Sequence, residues 1–319
     1  MIDEKINIKI KQIFNGSYTA QVYFVLRKQD EFVIKLADIE DKDEPELREM
    51  FSSELIKNIV NDENLKICLL SSADEYPNAI YLYDYDTYPE ELGLFKDFDI
   101  DTAIHYDKFN FDEDRLSDLF GYIIYLGSMS NGISLFKKHY PISLIKQDSF
   151  LLGIKKDKER FIKIPASDII RLNGKAQLLK IKNKIYVMDL KMLERNMGFT
   201  MLIKKVASES IDSIAKLNII EDIQTLTDSL DNISFVKKLS KIKNTSPIFK
   251  LNINAASIIQ FTKSTDVLRD KFKYTEDGKQ LRLDTKKSKQ DFLALMNDEF
   301  LISELTRQYY EATSKDDLQ

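Results

Sequence analysis

The sequence predicts an α+β protein with a mixed α/β N-terminal part, a central antiparallel sheet and a helical C-terminal part. Three observations carry this. Short apolar or alternating runs separated by polar turns dominate up to about residue 190. Apolar residues at spacings of three and four dominate after it. The few glycines and prolines (9 and 6 in 319 residues) leave little room for long unstructured stretches. A hydrophobic fraction of 43% and an aromatic fraction of 11% suffice for a packed core, and the length suits about two domains of roughly 150 residues each.

Taken in order, Tyr18–Arg27 and Phe32–Leu36 read as strands joined by the polar turn Lys28-Gln29-Asp30-Glu31. Pro45 opens a helix reaching about Val60, with Leu47, Phe51, Leu55 and Ile59 on one face. Strands follow at Leu65–Leu70 and Ala79–Tyr83. The stretch Asp84–Asp118 interleaves carboxylates with Tyr85, Tyr88, Phe95, Phe98, Tyr106, Phe109 and Phe111. It reads as a loop-rich surface, a docking face or a mimic of a nucleic-acid backbone. Tyr122–Leu126, Ile133–Phe136, Phe150–Ile154, Phe161–Ile164, Ile169–Leu172, Gln177–Ile181 and Ile185–Asp189 read as strands, with turns at Asn173-Gly174 and Lys182-Asn183-Lys184. Helices are expected over Phe199–Leu217, Ile219–Leu230, Ser234–Ile242 and Asn252–Phe261. A strand at Gln280–Leu283 and a last helix after Asp284-Thr285 complete the chain.

Charge divides the chain. Residues 1–130 carry 13 Lys+Arg against 28 Asp+Glu, a net of −15, whereas residues 131–319 carry 34 against 24, a net of +10. The sign changes near the Gly127–Gly132 cluster. The expected domains are therefore an acidic 1–130 for protein docking and a basic 131–319 for DNA. The basic charge gathers in Lys137–Lys184 and Ile233–Lys289, each with a net of +9. Such clustering points to a polyanion, with DNA as the expected partner. The alternative is that acidic and basic halves pair with each other, within the chain or in a homo-oligomer.

The basic groups expected to meet DNA are Lys155, Lys156, Lys158, Arg160, Lys163 and Arg171 in the first cluster. In the second they are Lys237, Lys238, Lys241 and Lys243, sharing one side of a helix, and Lys286, Lys287 and Lys289. Lysines make point-charge contacts to phosphates, which confer affinity with little sequence preference; only Arg160 and Arg171 offer the bidentate geometry that reads guanine. Asp97, Asp99 and Asp101 are the expected partner-docking residues of the acidic part.

Catalytic signatures are scarce. The two histidines, His105 and His139, stand near no other ligand in sequence, and Cys68 is the single cysteine. No Gly-rich phosphate loop and no G-x-S-x-G occurs. One enzymatic alternative remains: Asp168, Asp189 and Lys191 match the carboxylate and acidic-x-Lys pattern of metal-dependent nucleases, although Asp-x-Lys arises easily by chance in a chain with 31% charged residues. No cofactor and no catalytic residue are expected. The N-terminus is unlike a signal peptide, and no apolar run approaches the ~20 residues of a membrane span, so a cytoplasmic protein is expected.

The segment Asp291–Asp316, with Phe292-Leu293-Ala294-Leu295-Met296, Ser303, Thr306, Tyr309-Tyr310 and Lys315-Asp316, resembles the closing segment of the KwaB family, the soluble component of the Kiwa anti-phage defence system. Gln177–Asp189 followed by a helix is similar to that family's middle, and the resemblance covers roughly residues 150–318. It implies a bacterial cytoplasmic effector that binds DNA and works with a membrane-embedded partner, KwaA. The family is defined by a domain of unknown function, so no functional residue is carried over.

Overall fold

The computed structural model describes residues 2–29, 31–72, 76–103, 105–129, 131–140, 152–155, 160–163, 172–302 and 309–311. The chain forms two units. The first comprises Met1–Ile67, Asn78–Leu82 and Glu90–Leu193; the second comprises Cys68–Pro77, Tyr83–Pro89 and Glu194–Gln319.

The first unit is built on an antiparallel sheet. Its strands are β1 (Thr19–Lys28), β2 (Glu31–Leu36), β3 (Lys66–Leu69, of which Cys68 and Leu69 are counted with the second unit), β4 (Ala79–Leu82), β5 (Leu119–Ser128) and β6 (Asn131–Lys138). A separate hairpin, β7 (Leu152–Lys155) with β8 (Arg160–Lys163), precedes β9 (Leu178–Ile181) and β10 (Lys184–Val187). The sheet order is β2-β1-β5-β6-β9-β10-β4-β3, and the six pairings from β2 to β4 are antiparallel. Strand β5 is buried along nearly its whole length, as a central strand covered on both faces must be. The α+β class stands, with one difference of arrangement. β9 and β10 join the N-terminal strands in one sheet instead of forming a central sheet of their own.

Helices α1 (Ile2–Phe14) and α2 (Glu44–Leu55) cover this sheet, α2 passing into a π-turn at Ile56–Val60. They bury Ile6, Ile10 and Ile13, and Phe51, Leu55 and Ile59, against Val22, Leu26, Ile124, Leu126, Leu135 and Leu179. Each fully buried aliphatic or aromatic side chain of this set contributes roughly 1.5–3 kcal/mol. The boundary expected at 130/131 falls at the tip of the β5–β6 hairpin, where Ser128 pairs with Asn131. Ladder hydrogen bonds join the two sides of that position, so the change of charge does not mark a division of the fold.

Two short helices, α3 (Glu90–Asp97) and α4 (Ile100–Ala103), carry the acidic stretch of this unit. Its aromatics are core residues: Phe95, Phe98 and Phe109 are buried, Phe98 packing edge-on to Tyr23 and Phe109 to Phe24. Phe111 alone among them stands out, 85% exposed. Helix α5 (Leu190–Asn196) follows β10.

The second unit is helical. It holds α6 (Phe199–Leu217), α7 (Gln224–Thr227), α8 (Ile233–Thr245), α9 (Pro247–Lys250), α10 (Ala255–Ser264) and α11 (Asp266–Arg269). The ribbon β11–β12 (Lys273–Tyr274 with Leu281–Arg282), α12 (Lys286–Met296) and the hairpin β13–β14 (Phe300–Ile302 with Tyr309–Glu311) complete it. Phe199, Ile203, Val236, Leu239, Ile242 and Phe292 are among its buried residues. The helix expected over Ile219–Leu230 is reduced to the single turn α7. Among the described residues no helix is long and apolar enough to cross a membrane.

Candidate nucleic-acid interface

The second unit supplies the clearest basic surface. Thr285 starts α12 as its N-cap, its hydroxyl accepting the Ser288 N–H at 3.0 Å while the Ser288 hydroxyl accepts the Thr285 N–H at 3.0 Å. This reciprocal capping satisfies donors that a helix start otherwise leaves open. Apolar Phe292, Leu293, Leu295 and Met296 bury the far part of the helix. Its first turn therefore faces outward with Lys286 and Lys287 exposed. Lys289 turns inward, donating to the Thr225 carbonyl at 2.8 Å and the Ser229 hydroxyl at 3.0 Å.

Helix α8 begins at Asn232, whose side chain accepts the Phe235 N–H at 3.3 Å. Its lysines do not share one basic face. Lys237 is buried against Glu194 at 2.8 Å, and Lys241 pairs with Asp84, which also accepts the Ser71 hydroxyl at 2.7 Å. Lys243 pairs with Glu209 at 3.0 Å. Lys238 is half-buried and in no ion pair among the described residues. At 3.6 residues per turn, positions 237 and 241 lie one above the other, and the burial of Phe235, Val236, Leu239 and Ile242 draws that side inward. Lys237 is therefore removed from the DNA-contact set, because a closed ion pair cannot reach a phosphate. Lys238, Lys286 and Lys289 instead line one cavity of about 670 Å³ together with Asn232 and Thr285. Sequence reading missed this convergence; the two helix-start signatures, Asn232 before an apolar run and Thr285-x-x-Ser288, were its available signal.

The first basic cluster lies in the other unit. Lys155 pairs with Arg160 in register across the β7–β8 hairpin, and Lys163 ends β8; Lys156, Lys158 and Arg171 lie outside the described residues. Much of the remaining positive charge there is engaged by the sheet. The Lys137 ammonium donates to the Asn173 side chain at 2.7 Å and the Lys175 carbonyl at 2.9 Å. Lys180 donates to the Phe98 carbonyl at 2.6 Å and to that of Lys96, closing the end of α3. Burial pushes the pKa values of both lysines down.

Asp97, Asp99 and Asp101 are exposed on the first unit. Asp99 starts α4, its carboxylate accepting the Asp101 N–H at 3.0 Å. Asp99 and Asp101 also line a cavity of about 260 Å³ with Lys9, Lys180 and Lys182.

The nuclease alternative meets a structural role. One Asp189 oxygen accepts the Met192 N–H at 3.0 Å, capping α5, and the other receives the Gln177 amide at 3.4 Å. Asp168 lies outside the described residues, and among the described residues no group of three or more His, Cys, Asp or Glu is arranged to hold a metal ion. His139 makes a 2.6 Å hydrogen bond through Nδ1 with the Tyr122 hydroxyl, its pKa lowered by burial and then by Lys138. His105 is exposed.

The family model described as Kiwa protein KwaB-like matches residues 116–306. The Kiwa protein KwaB of Escherichia coli O55:H7 (strain RM12579 / EPEC) is 28% identical over 321 residues, covering 100% of this chain and 99% of that protein. No solved structure matches the chain. With its match running from just before β5 to just beyond β13, more than half of the sequence, the chain belongs to the KwaB-like family of Kiwa proteins.

Proposed function

We propose that this chain is the DNA-binding component of an anti-phage defence system, contacting the phosphate backbone with little sequence preference and acting without catalysis of its own. Family membership supports the defence role. The observation that carries the DNA reading is the first turn of α12. Lys286, Lys287 and Lys289 sit at the positive end of a helix, where each cation is disfavoured by about 0.3–1 kcal/mol. Lys286 and Lys287 are exposed there with no ion pair among the described residues. A phosphate bound at this turn is attracted both by the helix's positive end and by the lysine charges, which offsets that cost. Lysine in place of arginine favours point-charge contact over base reading.

A gel shift across a salt series, with and without Mg²⁺, tests the reading. Affinity is expected to fall on the order of 10³-fold between 50 and 200 mM salt if about six phosphates are neutralised. Unrelated duplexes should bind alike and remain uncut. The double variant Lys286→Glu/Lys287→Glu should weaken binding to all of them. A flat salt response, or one strongly preferred sequence, would overturn the proposal. The acidic surface of the first unit at Asp97, Asp99 and Asp101 is read as the docking side, for a second copy of the chain or for a membrane-embedded partner of the KwaA type that recruits this cytoplasmic protein to the inner face of the membrane.

A further inference from the structure

The cavity beside α8 and α12 is lined by three lysines and three carboxylates, and their partners outside it tip the balance toward positive charge. Two of the three carboxylates are held in ion pairs with cations outside the cavity, and the third meets a neutral amide that leaves its charge in place. Asp231 pairs with Lys204 at 3.0 Å, Asp284 lies 3.8 Å from Lys273 and 3.9 Å from Arg282, and Asp228 accepts the Gln224 amide at 3.1 Å. The three lysines that line the cavity are in no ion pair among the described residues, so positive charge exceeds the one carboxylate, Asp228, that is likewise unpaired with a cation. Among the described residues, Lys289 donates to the neutral Thr225 carbonyl and Ser229 hydroxyl. Lys238 and Lys286 are in no ion pair among the described residues. Three lysines thus line a common space of about 670 Å³, within the size range of small-ligand sites. The capped starts of α8 and α12, at Asn232 and Thr285, open onto the same space and add their partial positive charge.

Shape and charge together narrow the ligand. A continuous duplex is a convex rod that cannot enter a concavity of this size, so an internal backbone phosphate stays at its mouth. A phosphate at a chain end or on a free nucleotide can enter. It is also a monoester, carrying close to two negative charges at pH 7 because its second pKa is about 6, whereas an internal diester carries one. Three lysines and two helix starts match the doubly charged group better.

We propose that this cavity receives a nucleotide phosphomonoester, either the terminal phosphate of a DNA strand or that of a free mononucleotide. The strand-end form rests on the DNA-binding reading above; the free-nucleotide form does not.

Fluorescence anisotropy on the full chain separates the cases. The probes are one oligonucleotide with a 5′-phosphate, the same strand with a 5′-hydroxyl, closed circular duplex as competitor, and dAMP as competitor. The 5′-phosphorylated strand is expected to bind about tenfold tighter, as one additional charge-assisted contact set provides. This preference should fade below pH ~6 as the monoester takes up a proton. Lys238→Ala/Lys286→Ala should abolish the preference. Lys287→Ala, in the same turn but outside the cavity, should keep it while weakening binding of every DNA. Should the double variant fail a circular-dichroism check of folding, the exposed single variant Lys286→Gln carries the test, with a reduced preference expected. Displacement of the phosphorylated strand by dAMP, with the hydroxyl strand unaffected, would support the cavity as a nucleotide site. Equal binding of both strands together with no displacement by dAMP overturns the inference, and circular DNA that still binds then leaves the DNA-binding reading standing. Binding of dAMP with no DNA bound in any form has the opposite meaning: the cavity is supported and the DNA-binding reading falls.

Discussion

Lys237 and Glu194 face each other at 2.8 Å, their side chains only 3% and 17% exposed. The neighbouring Tyr85 hydroxyl donates to the Lys237 carbonyl at 3.0 Å, and the Ser240 hydroxyl donates to the same oxygen at 2.9 Å. Removing one member of a buried pair leaves an uncompensated charge and costs about 3–5 kcal/mol, whereas replacing both with apolar groups of similar volume is much less harmful. Glu194→Ala is therefore expected to lower unfolding stability in urea by that order, and Lys237→Met/Glu194→Leu to recover most of it. At temperatures where the double variant is folded, its DNA affinity should match that of the unaltered chain, since Lys237 does not reach solvent. A selective loss of DNA binding in the folded double variant would return Lys237 to the interface.

Asp189 separates binding from catalysis. As the cap of α5, its replacement by alanine should cost about 1 kcal/mol, read as a small downward shift of the unfolding midpoint, and leave DNA affinity unchanged. Incubation of the purified chain with Mg²⁺ or Mn²⁺ should leave DNA intact. Metal-dependent cleavage that disappears in Asp189→Ala would establish the nuclease reading instead.

The exposed acids of the first unit make a prediction about assembly. Asp97→Lys/Asp99→Lys/Asp101→Lys should disrupt association with a second copy or with a basic-faced membrane partner, leaving DNA affinity unchanged or slightly higher. Sedimentation and co-purification report the first effect, and the gel shift the second. Because Phe95, Phe98 and Phe109 are core residues, the apolar anchor left for such an interface is Phe111. Phe111→Ser should weaken assembly without lowering stability. If both variants change assembly and DNA binding together, the division of labour is wrong.

Lys138 predicts a pH dependence. Burial, reinforced by Arg27 and opposed by Glu91, brings its pKa down to about 8. Its ammonium lies 3.6 Å from the centroid of the Phe120 ring and donates to the Phe120 carbonyl at 3.0 Å. The folded value lies below the unfolded one of about 10.4, so the folded state holds the proton less tightly. The cost of burying the charge is then full below pH 8 and vanishes above the unfolded value, and stability from this group rises across that window. Lys138→Met should flatten the rise, measured by urea unfolding at intervals from pH 7 to 10. Identical pH profiles for the two proteins would contradict this assignment.

Local periodicity made much of the fold legible. Alternation found β1, β2, β5, β6, β9 and β10, and the spacing-four stripe Leu47, Phe51, Leu55 and Ile59 found α2. It failed at α1, where Ile6, Ile8 and Ile10 alternate like a strand. The buried set is Ile6, Ile10 and Ile13, with Ile8 51% exposed, so the helical period was hidden by one surplus isoleucine. Charge misled at residue 130, because net charge responds to the surface whereas division of a fold follows the pairing of strands. The β6–β9 pairing joins segments more than forty residues apart, and no window of sequence contains it.

For the site, the sequence by itself determined that positive charge gathers in two clusters, that lysine outnumbers arginine within them, and that Thr285 starts a helix bearing three lysines. Tertiary structure decided which lysines remain available. It closed Lys237 onto Glu194, engaged Lys241 with Asp84 and Lys243 with Glu209, and brought Lys238 to the same cavity as Lys286 and Lys289. The physical reason is that a lysine's composition and spacing fix its charge and its side of a helix, while its freedom to meet a phosphate depends on whether packing brings a carboxylate within reach. Glu194, Asp84 and Glu209 lie 43, 157 and 34 residues from the lysines they hold, at separations where only the packed fold can bring them together.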